Sequence, residues 1–275
     1  MIIEPSGQSC GATVRGVDLA GELSSDVIAD IRAAWLEHRV LAFAEQAMDD
    51  DALERFTLAM GGFGEDPFFD PIEGRQNIAA ILREADETSP LFAENWHSDW
   101  SFLAKPPSGT CLMAVEIPPI GGDTLFTNQA AAFAALPETR KDYLRSLTAI
   151  HSASRGYAPD GLYGDNDAGR SMAIRPGEAA LARQTHPLVK PHPETAEEVL
   201  FFSVSYTVGI EGMSDEEALV LIMDLHQWCE QDQFIYRHRW APDMLLLWDN
   251  RCLNHKATGG YDGYRRELHR TTIAA

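Results

Sequence analysis

Short strand-like runs separated by turn residues fill much of this chain, and they constrain its fold more than any other feature. Each run is rich in apolar, β-branched or aromatic residues and is bounded by Gly, Pro, Asn or Asp, a pattern typical of strands in a sandwich or barrel. The clearest predicted strands are Val40–Phe43, Thr110–Val115, Leu200–Ser205, Phe234–Trp240, Met244–Trp248 and Glu267–Ile273. The sequence therefore predicts a mixed, mainly β fold with a jelly-roll core and helices that cover one side.

Three amphipathic segments with capping signals supply the predicted helices. One helix follows a cap at Ser24, and a second spans 50–60. Ser214 and Glu217 form a capping box ahead of a long helix at about 215–231. On that helix, helical spacing predicts one shared face, made of Leu219, Ile222, Met223 and His226.

The charge of the chain narrows the classes of partner. Its 275 residues include 22 Lys and Arg against 42 Asp and Glu, which gives a net charge of −20. Because phosphate contacts need a basic surface, this acid excess argues against a nucleic-acid partner, and equally against electrostatic docking on anionic lipid.

A chain of this length can bury one large core without the help of disulfide bonds or metal ions, and no linker-like stretch divides it. We therefore expect a single domain over residues 1–275.

Cysteine usage and apolar runs predict the location of the protein. Four scattered cysteines without a Cys-x-x-Cys pair indicate neither a disulfide scaffold nor a zinc ribbon. The longest apolar run covers only 130–136, whereas a membrane span needs about 20 residues. The first eleven residues hold no basic cluster and no apolar stretch, so no secretory signal is predicted. We expect a cytoplasmic protein with no membrane partner.

The first candidate metal ligands are His97 and Asp99, which one residue separates. In a strand, such residues point to the same face and lie about 7 Å apart at the backbone. An imidazole and a carboxylate could then converge on one cation. The triplet alone is weak, because a surface turn or a simple His–Asp hydrogen bond explains it as well.

A second histidine, His255, follows the apolar run 244–248. With His97 and Asp99 it would complete a set of two imidazoles and one carboxylate. Such a set leaves coordination positions open and is associated with non-haem Fe(II) oxygenases. Taken alone, His255 is explained as well by a core or loop histidine with a satisfied hydrogen bond.

A glycine-rich turn at 259–263 relates His255 to two arginines. If the turn closes a hairpin near its middle, His255 lies across from Arg266, about 5 Å away at Cβ. Strand alternation then places Arg266 and Arg270 on one face, about 13 Å apart. Because arginine binds carboxylates bidentately and an unpaired buried charge is costly, two inward arginines indicate anionic ligands. The alternative is two surface arginines paired with Asp or Glu.

These motifs, in this order and at this spacing, resemble the Fe(II)/2-oxoglutarate dioxygenases related to taurine dioxygenase and 2,4-dichlorophenoxyacetate dioxygenase. The resemblance runs over nearly the whole chain. It is carried by His255 and by the segments 11–19, 96–99, 121–124, 248–251 and 265–270. It implies a double-stranded β-helix core, and members of the family are commonly homodimers or homotetramers.

The resemblance also assigns roles residue by residue. Thr124 and Arg266 match residues that contact 2-oxoglutarate, with Arg266 on its far carboxylate. Arg270 matches the arginine that holds the anionic group of the substrate. The three iron ligands of the family match the set His97, Asp99 and His255.

The implied chemistry is oxidative decarboxylation of 2-oxoglutarate by O2 at Fe(II), which releases succinate and CO2 and hydroxylates a small anionic substrate. Phe68 and Phe69 stand in a loop where the taurine enzyme carries a His and a Tyr, and they predict a substrate with an apolar or aromatic body. An (aryloxy)alkanoate-type carboxylate is the favoured substrate. Taurine, another alkylsulfonate or an alkyl sulfate ester is the alternative.

Two interpretations from other classes stay open at this point. A metal-dependent hydrolase could use the same three ligands with Zn²⁺, although it gives no reason for a threonine and two arginines arranged for a dicarboxylate. A non-enzymatic jelly-roll binding module predicts that ligand binding survives replacement of His97 or Asp99. The polar stretch 158–177 is predicted to form a mobile lid over the site, and disorder without a role is the alternative.

Overall fold

Fifteen strands, six α-helices and two short 3-10 helices build the fold in the computed structural model, which describes all residues from 1 to 275. The strands are β1 (Ile2–Pro5), β2 (Ala12–Arg15), β3 (Val40–Phe43), β4 (Ala79–Arg83), β5 (Gly109–Glu116), β6 (Thr124–Asn128), β7 (Thr148–Ser152), β8 (Arg183–Pro187), β9 (Val189–Pro191), β10 (Glu198–Leu200), β11 (Thr207–Ile210), β12 (Ile235–His238), β13 (Leu245–Asp249), β14 (Leu253–Ala257) and β15 (Arg266–Ile273). The predicted strands at 40–43, 110–115, 244–248 and 267–273 are confirmed as β3, β5, β13 and β15. The predicted mixture of sheets and flanking helices is confirmed with them.

The predicted helix signals are confirmed as well. The helices are α1 (Ser25–His38), α2 (Asp50–Met60), α3 (Gln129–Ala134), α4 (Glu138–Arg145), α5 (Ser154–Tyr157) and α6 (Asp215–Cys229). The Ser24 hydroxyl oxygen accepts a hydrogen bond from the Val27 amide at 3.3 Å, and Ser214 with Glu217 forms the capping box of α6. No helix of the structure combines the length and the apolarity that crossing a bilayer requires.

Two sheets enclose the part of the molecule that carries the predicted ligands. A seven-stranded sheet has the order β1-β2-β3-β13-β5-β15-β4, and a three-stranded sheet has the order β12-β6-β14. Strand β13 is buried on both faces. Leu245 and Leu247 pack in one core with residues of α1 and α2, whereas Leu246 and Trp248 pack in another with residues of the three-stranded sheet, such as Phe126. The alternation of side chains along a strand explains why one strand serves both cores.

The predicted hairpin between His255 and Arg266 is wrong. Strand β14, which carries His255, pairs with β6, whereas β15 pairs with β4 and β5 in the large sheet. The connection 258–265 is too long for a tight turn and crosses from one sheet to the other. Its start is held by hydrogen bonds from the Thr258 amide to the Asp123 carbonyl at 2.9 Å and from the Gly122 amide to the Gly259 carbonyl at 3.1 Å.

The predicted face of the long helix is also wrong. The buried residues of α6 are Ala218, Ile222, Leu225 and Cys229. Leu219 and Met223 are 54% and 39% exposed. The predicted face and the buried face share Ile222, but the buried face is rotated about the helix axis. This helix has apolar residues on several sides, so its tertiary contacts determine which side is buried.

The predicted strand at 200–205 is present only as its first residue. Strand β10 ends at Leu200, and the next two residues, Phe201 and Phe202, are buried without forming a ladder. The Phe202 carbonyl accepts a hydrogen bond from the Asn254 side chain at 2.9 Å. The Asn254 side chain supplies the hydrogen bond that this buried loop carbonyl needs. A buried loop can therefore show the same apolar sequence pattern as a strand.

Candidate metal centre and cosubstrate pocket

The three predicted metal ligands meet at one buried point. The ligand atoms of His97, Asp99 and His255 all lie within 4.8 Å of one another. Nε2 of His97 is 3.7 Å from Oδ1 of Asp99, and Nε2 of His255 is 3.8 Å from the same oxygen. All three residues are buried. The spacing suits three donors around one cation.

A backbone bridge sets the relative position of the two histidines. The amide of His97 donates to the carbonyl of His255 at 3.0 Å, and the amide of His255 donates back at 2.7 Å. The predicted strand through His97 and Asp99 is reduced to this isolated bridge, because the chain turns at Asp99 and Trp100, where Trp100 has a φ of 49°. The two side chains still converge, as the separation of two residues predicted.

Hydrogen bonds behind the ligands fix their orientation. Nδ1 of His97 lies 2.9 Å from the Asn95 carbonyl, and because a carbonyl can only accept, Nδ1 carries the proton and Nε2 is free to bind a metal. Oδ2 of Asp99 accepts from the Thr110 hydroxyl at 2.6 Å. That hydroxyl accepts in turn from the Asn250 side-chain amide at 2.9 Å. Such outer partners orient ligands before the metal binds.

The protonation states of the three ligands suit a divalent cation. Burial lowers the pKa of His97, and burial together with the neighbouring His97 ring lowers the pKa of His255 to about 3. Burial by itself raises the pKa of Asp99, but His255, Arg270 and His97 lower that pKa further, so the net shift is downward. The set consists of two neutral imidazoles and one carboxylate, the donors that a metal site needs deprotonated. These residues therefore fit Fe(II).

Replacement of Thr110 by valine tests the support of Asp99. The substitution keeps the side-chain shape, removes the hydrogen bond to Oδ2 and leaves the Asn250 amide without its acceptor. Because loss of an outer partner costs about 10–100-fold in metal affinity, we expect the Mn(II) dissociation constant, measured by titration calorimetry, to rise at least tenfold. Thr127→Val is the matched control, because this buried hydroxyl donates to the Cys229 carbonyl at 2.7 Å instead. Equal constants for both variants would remove Thr110 from the site.

A pocket beside the triad holds the predicted cosubstrate residues. Thr124 on β6 and Arg266 on β15 line the same central cavity as the three ligands and Arg270. The structure thus brings six of the eight predicted site residues to one cavity. Four of them come from the two sheets, whereas His97 and Asp99 come from the bridge and turn beside them.

The guanidinium of Arg266 has N–H donors that are free to bind an anion. It donates one hydrogen bond, to the Gly122 carbonyl at 3.2 Å, and its Nε is buried without an acceptor. Its central carbon lies 5.8 Å from the ring centroids of both Trp240 and Tyr261. The Trp240 ring nitrogen donates to the Thr124 hydroxyl at 3.0 Å, so the same indole connects the two predicted cosubstrate residues.

Gly122 is required for this approach. Its φ is +70°, and a Cβ built there would lie 3.1 Å from Nε of Arg266. A side chain at this position would therefore be strained and would also crowd the guanidinium.

The second arginine, Arg270, lies close to the metal ligands. Its NH1 is 3.8 Å from Oδ1 of Asp99, and its NH2 donates to Oδ2 of Asp66 at 2.6 Å. Its central carbon lies 4.5 Å from the Phe69 ring centroid and 5.1 Å from that of Trp100. Asp66 was not among the residues that the sequence singled out.

The two predicted substrate phenylalanines do not line the central cavity. Phe68 stacks on Tyr157 with a centroid distance of 4.8 Å, and Phe69 packs against Trp100 at 5.5 Å. The Phe69 ring thus packs against the guanidinium of Arg270. Phe68 belongs to the aromatic cluster behind it.

Much of the rest of the central cavity is lined by apolar residues that were not predicted as site residues, among them Ile81, Leu82, Leu91, Phe92 and Met172. The charged side chains of Arg83, Glu87 and Arg170 also line it. The predicted lid, 158–177, contributes Met172 and Arg170 to the wall. It is tied down by the Ser171 amide, which donates to Glu87 at 3.0 Å, and by Arg170, which donates to the Pro90 carbonyl at 3.0 Å. Two residues of the segment thus line the cavity, and its action as a lid stays a prediction.

A second cavity adjoins the first and shares His97 and Phe92 with it. Its other walls are mainly aromatic or apolar and include Tyr157, Leu162, Tyr163, Val204 and Tyr206. The metal ligand His97 therefore borders two cavities, of which one carries the cosubstrate residues.

Another buried group with metal-ligand chemistry has a structural role. His192, Asp249 and Cys252 lie close enough together to hold an ion. However, Nδ1 of His192 accepts from the amides of Glu194 and Thr195 at 3.2 and 3.1 Å. Its Nε2 then donates to Asp249 at 3.0 Å. Both ring nitrogens are used, so the group braces the end of β13.

Comparison with known proteins identifies the family. Over residues 3–272 the chain matches the taurine catabolism dioxygenase TauD, TfdA family, and it therefore belongs to that family. An alpha-ketoglutarate-dependent sulfate ester dioxygenase of Pseudomonas putida is 30% identical over 274 residues, which cover 99% of this chain and 89% of that protein. An (S)-phenoxypropionate/alpha-ketoglutarate-dioxygenase of Delftia acidovorans is 32% identical over 266 residues, which cover 93% of this chain and 88% of that protein.

A solved structure supports the same conclusion. A taurine dioxygenase from Burkholderia xenovorans is 28% identical, with a TM-score of 0.82 over 100% of this chain and 90% of that one. The family and the class of enzyme predicted from the sequence are confirmed: the chain is an alpha-ketoglutarate-dependent dioxygenase, alpha-ketoglutarate being 2-oxoglutarate. The hydrolase and the non-enzymatic binding module are thereby set aside.

Proposed function

We propose that this dioxygenase uses Fe(II), O2 and 2-oxoglutarate to hydroxylate a small anionic organic substrate, with succinate and CO2 as coproducts. One observation carries the proposal. Two neutral imidazoles and one carboxylate converge beside Arg266, a buried arginine that forms no salt bridge within the chain. The three ligands suit Fe(II), and the unpaired guanidinium of Arg266 suits a carboxylate of 2-oxoglutarate.

Each residue of the site has a defined task in this proposal. His97, Asp99 and His255 would hold the metal and leave positions open for ligands. Bound iron supplies the oxidising chemistry with O2 and 2-oxoglutarate, which the protein itself cannot supply. Arg266 would bind the far carboxylate of 2-oxoglutarate, since arginine suits carboxylates, and Thr124 would contact a carboxylate of the same molecule. The buried walls exclude water from the pocket.

The substrate is proposed to bind with its anionic group at Arg270 and its body against apolar walls. Arg270 is the cavity arginine with a nitrogen near Asp99, so an anion held there would place the attached carbon close to the metal. The aromatic second cavity beside His97 offers space for the body. We favour an (aryloxy)alkanoate-type carboxylate, with a sulfonate or sulfate ester as the alternative, since relatives named for both kinds of substrate match the chain.

The architecture around the site supports a double-stranded β-helix core in one domain. The metal ligand on β14 and the two arginines on β15 belong to different sheets, and both face one cavity. The family match also extends over 3–272 without division. Association into a homodimer or homotetramer and the cytoplasmic location stay predictions.

Succinate formation tests the proposed function. We expect purified protein to release succinate from 2-oxoglutarate only when Fe(II) and O2 are both present, and expect the rate to rise with a suitable substrate. A panel of phenoxyalkanoates, alkylsulfonates and alkyl sulfates, each scored by succinate formed, identifies the substrate class. Succinate release that persists without iron, or that is absent with every combination, would contradict the proposal.

A further inference from the structure

Two buried arginines on one face of β15 differ in their counter-ions. Arg266 and Arg270 are both buried, lie four residues apart and line the same cavity. Arg266 forms no salt bridge, and its one hydrogen bond goes to a backbone carbonyl. Arg270 forms a salt bridge with Asp66, with NH2 and Oδ2 separated by 2.6 Å. Arg270 therefore has a carboxylate in hydrogen-bond contact in addition to the metal ligand Asp99, whereas Arg266 has no carboxylate partner.

Asp66 is held firmly where it meets Arg270. The loop before it is bonded to the end of β15, because the Gly64 amide donates to the Thr272 carbonyl at 2.9 Å. The side chain of Asp66 is 20% exposed. Its other oxygen, Oδ1, is buried and has no hydrogen-bond partner. The contact with Arg270 is therefore the main polar contact that the carboxylate makes.

Arg270 has donors left over for a ligand. A guanidinium offers five N–H groups, and the hydrogen bond to Asp66 is the one that Arg270 makes within the chain. Its Nε is buried without an acceptor, and its NH1 points toward Asp99 at 3.8 Å. An anion that binds to these donors either displaces the Asp66 carboxylate or lies beside it. Displacement breaks the ion pair between Arg270 and Asp66, and a position beside Asp66 brings like charges together in a buried site, so both events oppose binding.

We propose that Asp66 is an internal counter-ion that sets the charge selectivity of the Arg270 subsite, defined here as the guanidinium of Arg270 and the cavity space beside it. This inference rests on the proposed function, since it takes Arg270 as the group that meets the anionic end of the substrate. With Asp66 in place, the subsite prefers an anion over a neutral polar group of the same shape less strongly than it would without this carboxylate. Without the Asp66 carboxylate, Arg270 keeps only the metal ligand Asp99 beside it, 3.8 Å from NH1, and its preference for anions increases.

Replacement of Asp66 by asparagine tests the inference. Asparagine keeps the size of the side chain and an oxygen that can accept from Arg270, and it removes the charge. The probes are phenoxyacetate and hexyl sulfate as anions, with phenoxyacetamide as the neutral analogue of phenoxyacetate. Dissociation constants are measured by titration calorimetry without oxygen, on protein loaded with Fe(II) and 2-oxoglutarate. We expect Asp66→Asn to bind at least one anion about tenfold more tightly, while the phenoxyacetamide constant stays within about twofold.

Asp70→Asn is the matched control, because Asp70 lies in the same loop and pairs with Arg175 instead, at 3.1 Å. It should change no constant. Asp66→Ser serves as a second variant, with thermal unfolding as the folding check, if the asparagine variant does not fold. An unchanged or weakened affinity for both anions, or an equal gain for phenoxyacetamide, would overturn the inference. Succinate release by the wild-type enzyme tests the proposed function separately and does not involve this variant.

Discussion

Replacing His255 with alanine should reduce the iron content of the purified protein from about one per chain to a small fraction. The substitution removes one of three ligands, and the remaining pair cannot hold the metal at the same affinity. Since outer partners of metal ligands are already worth about 10–100-fold, the loss for a ligand itself should exceed a hundredfold. The backbone bridge to His97 is independent of the side chain, so the fold around the site should survive. The iron content per chain is measured by metal analysis after dialysis against Fe(II).

His151→Ala is the matched control for this experiment. His151 is completely buried, burial likewise lowers its pKa to about 3, and one of its ring nitrogens has no partner. It lies outside the triad. The control variant should keep its iron. A His255→Ala protein with full iron content would take His255 out of the site.

Arg266→Ala should raise the dissociation constant for 2-oxoglutarate about a hundredfold while iron content stays unchanged. Truncation of one partner of a buried, hydrogen-bonded charge pair typically costs 2–5 kcal/mol, and about 1.4 kcal/mol corresponds to tenfold. Arg266→Lys should recover part of the affinity, because lysine restores the charge and lacks the planar pair of donors. Titration calorimetry with 2-oxoglutarate on the iron-loaded variants, without oxygen, measures both effects.

Arg237→Ala controls for the loss of a positive charge near the site. Arg237 lies on β12, which pairs with β6, the strand of Thr124. It forms a salt bridge with Asp123 at 2.8 Å, and its side chain is 46% exposed. Exposed pairs of this kind contribute little, so 2-oxoglutarate affinity should be unchanged. If Arg266→Ala behaved like this control, the cosubstrate would bind elsewhere.

The sequence was sufficient for features that depend on local pattern. The caps at Ser24 and Ser214 involve neighbours three residues away. The alternation along β15 that buries Arg266 and Arg270 follows from the two-residue period of a strand and is observed. The convergence of His97 with Asp99 has the same origin, and it survives although the chain forms a bridge and a turn there instead of a strand.

Features that depend on tertiary pairing could not be predicted from the sequence. The hairpin between His255 and Arg266 was a reasonable inference from a glycine-rich turn, yet the connection crosses between two sheets. The two residues nevertheless line one cavity, because the two sheets face each other. Asp66 shows the same limit. It meets Arg270 from a loop 204 residues away in sequence, and no local periodicity relates such positions.

The most direct test of the account is whether metal and 2-oxoglutarate share one site. Titration calorimetry with 2-oxoglutarate, without oxygen, compares iron-loaded protein with metal-free protein. The account predicts one 2-oxoglutarate per chain in the presence of Fe(II), bound at least about tenfold more tightly than without it, because the triad and Arg266 then act on the same molecule. Equal affinity with and without iron, or no binding to the iron-loaded protein, would contradict it.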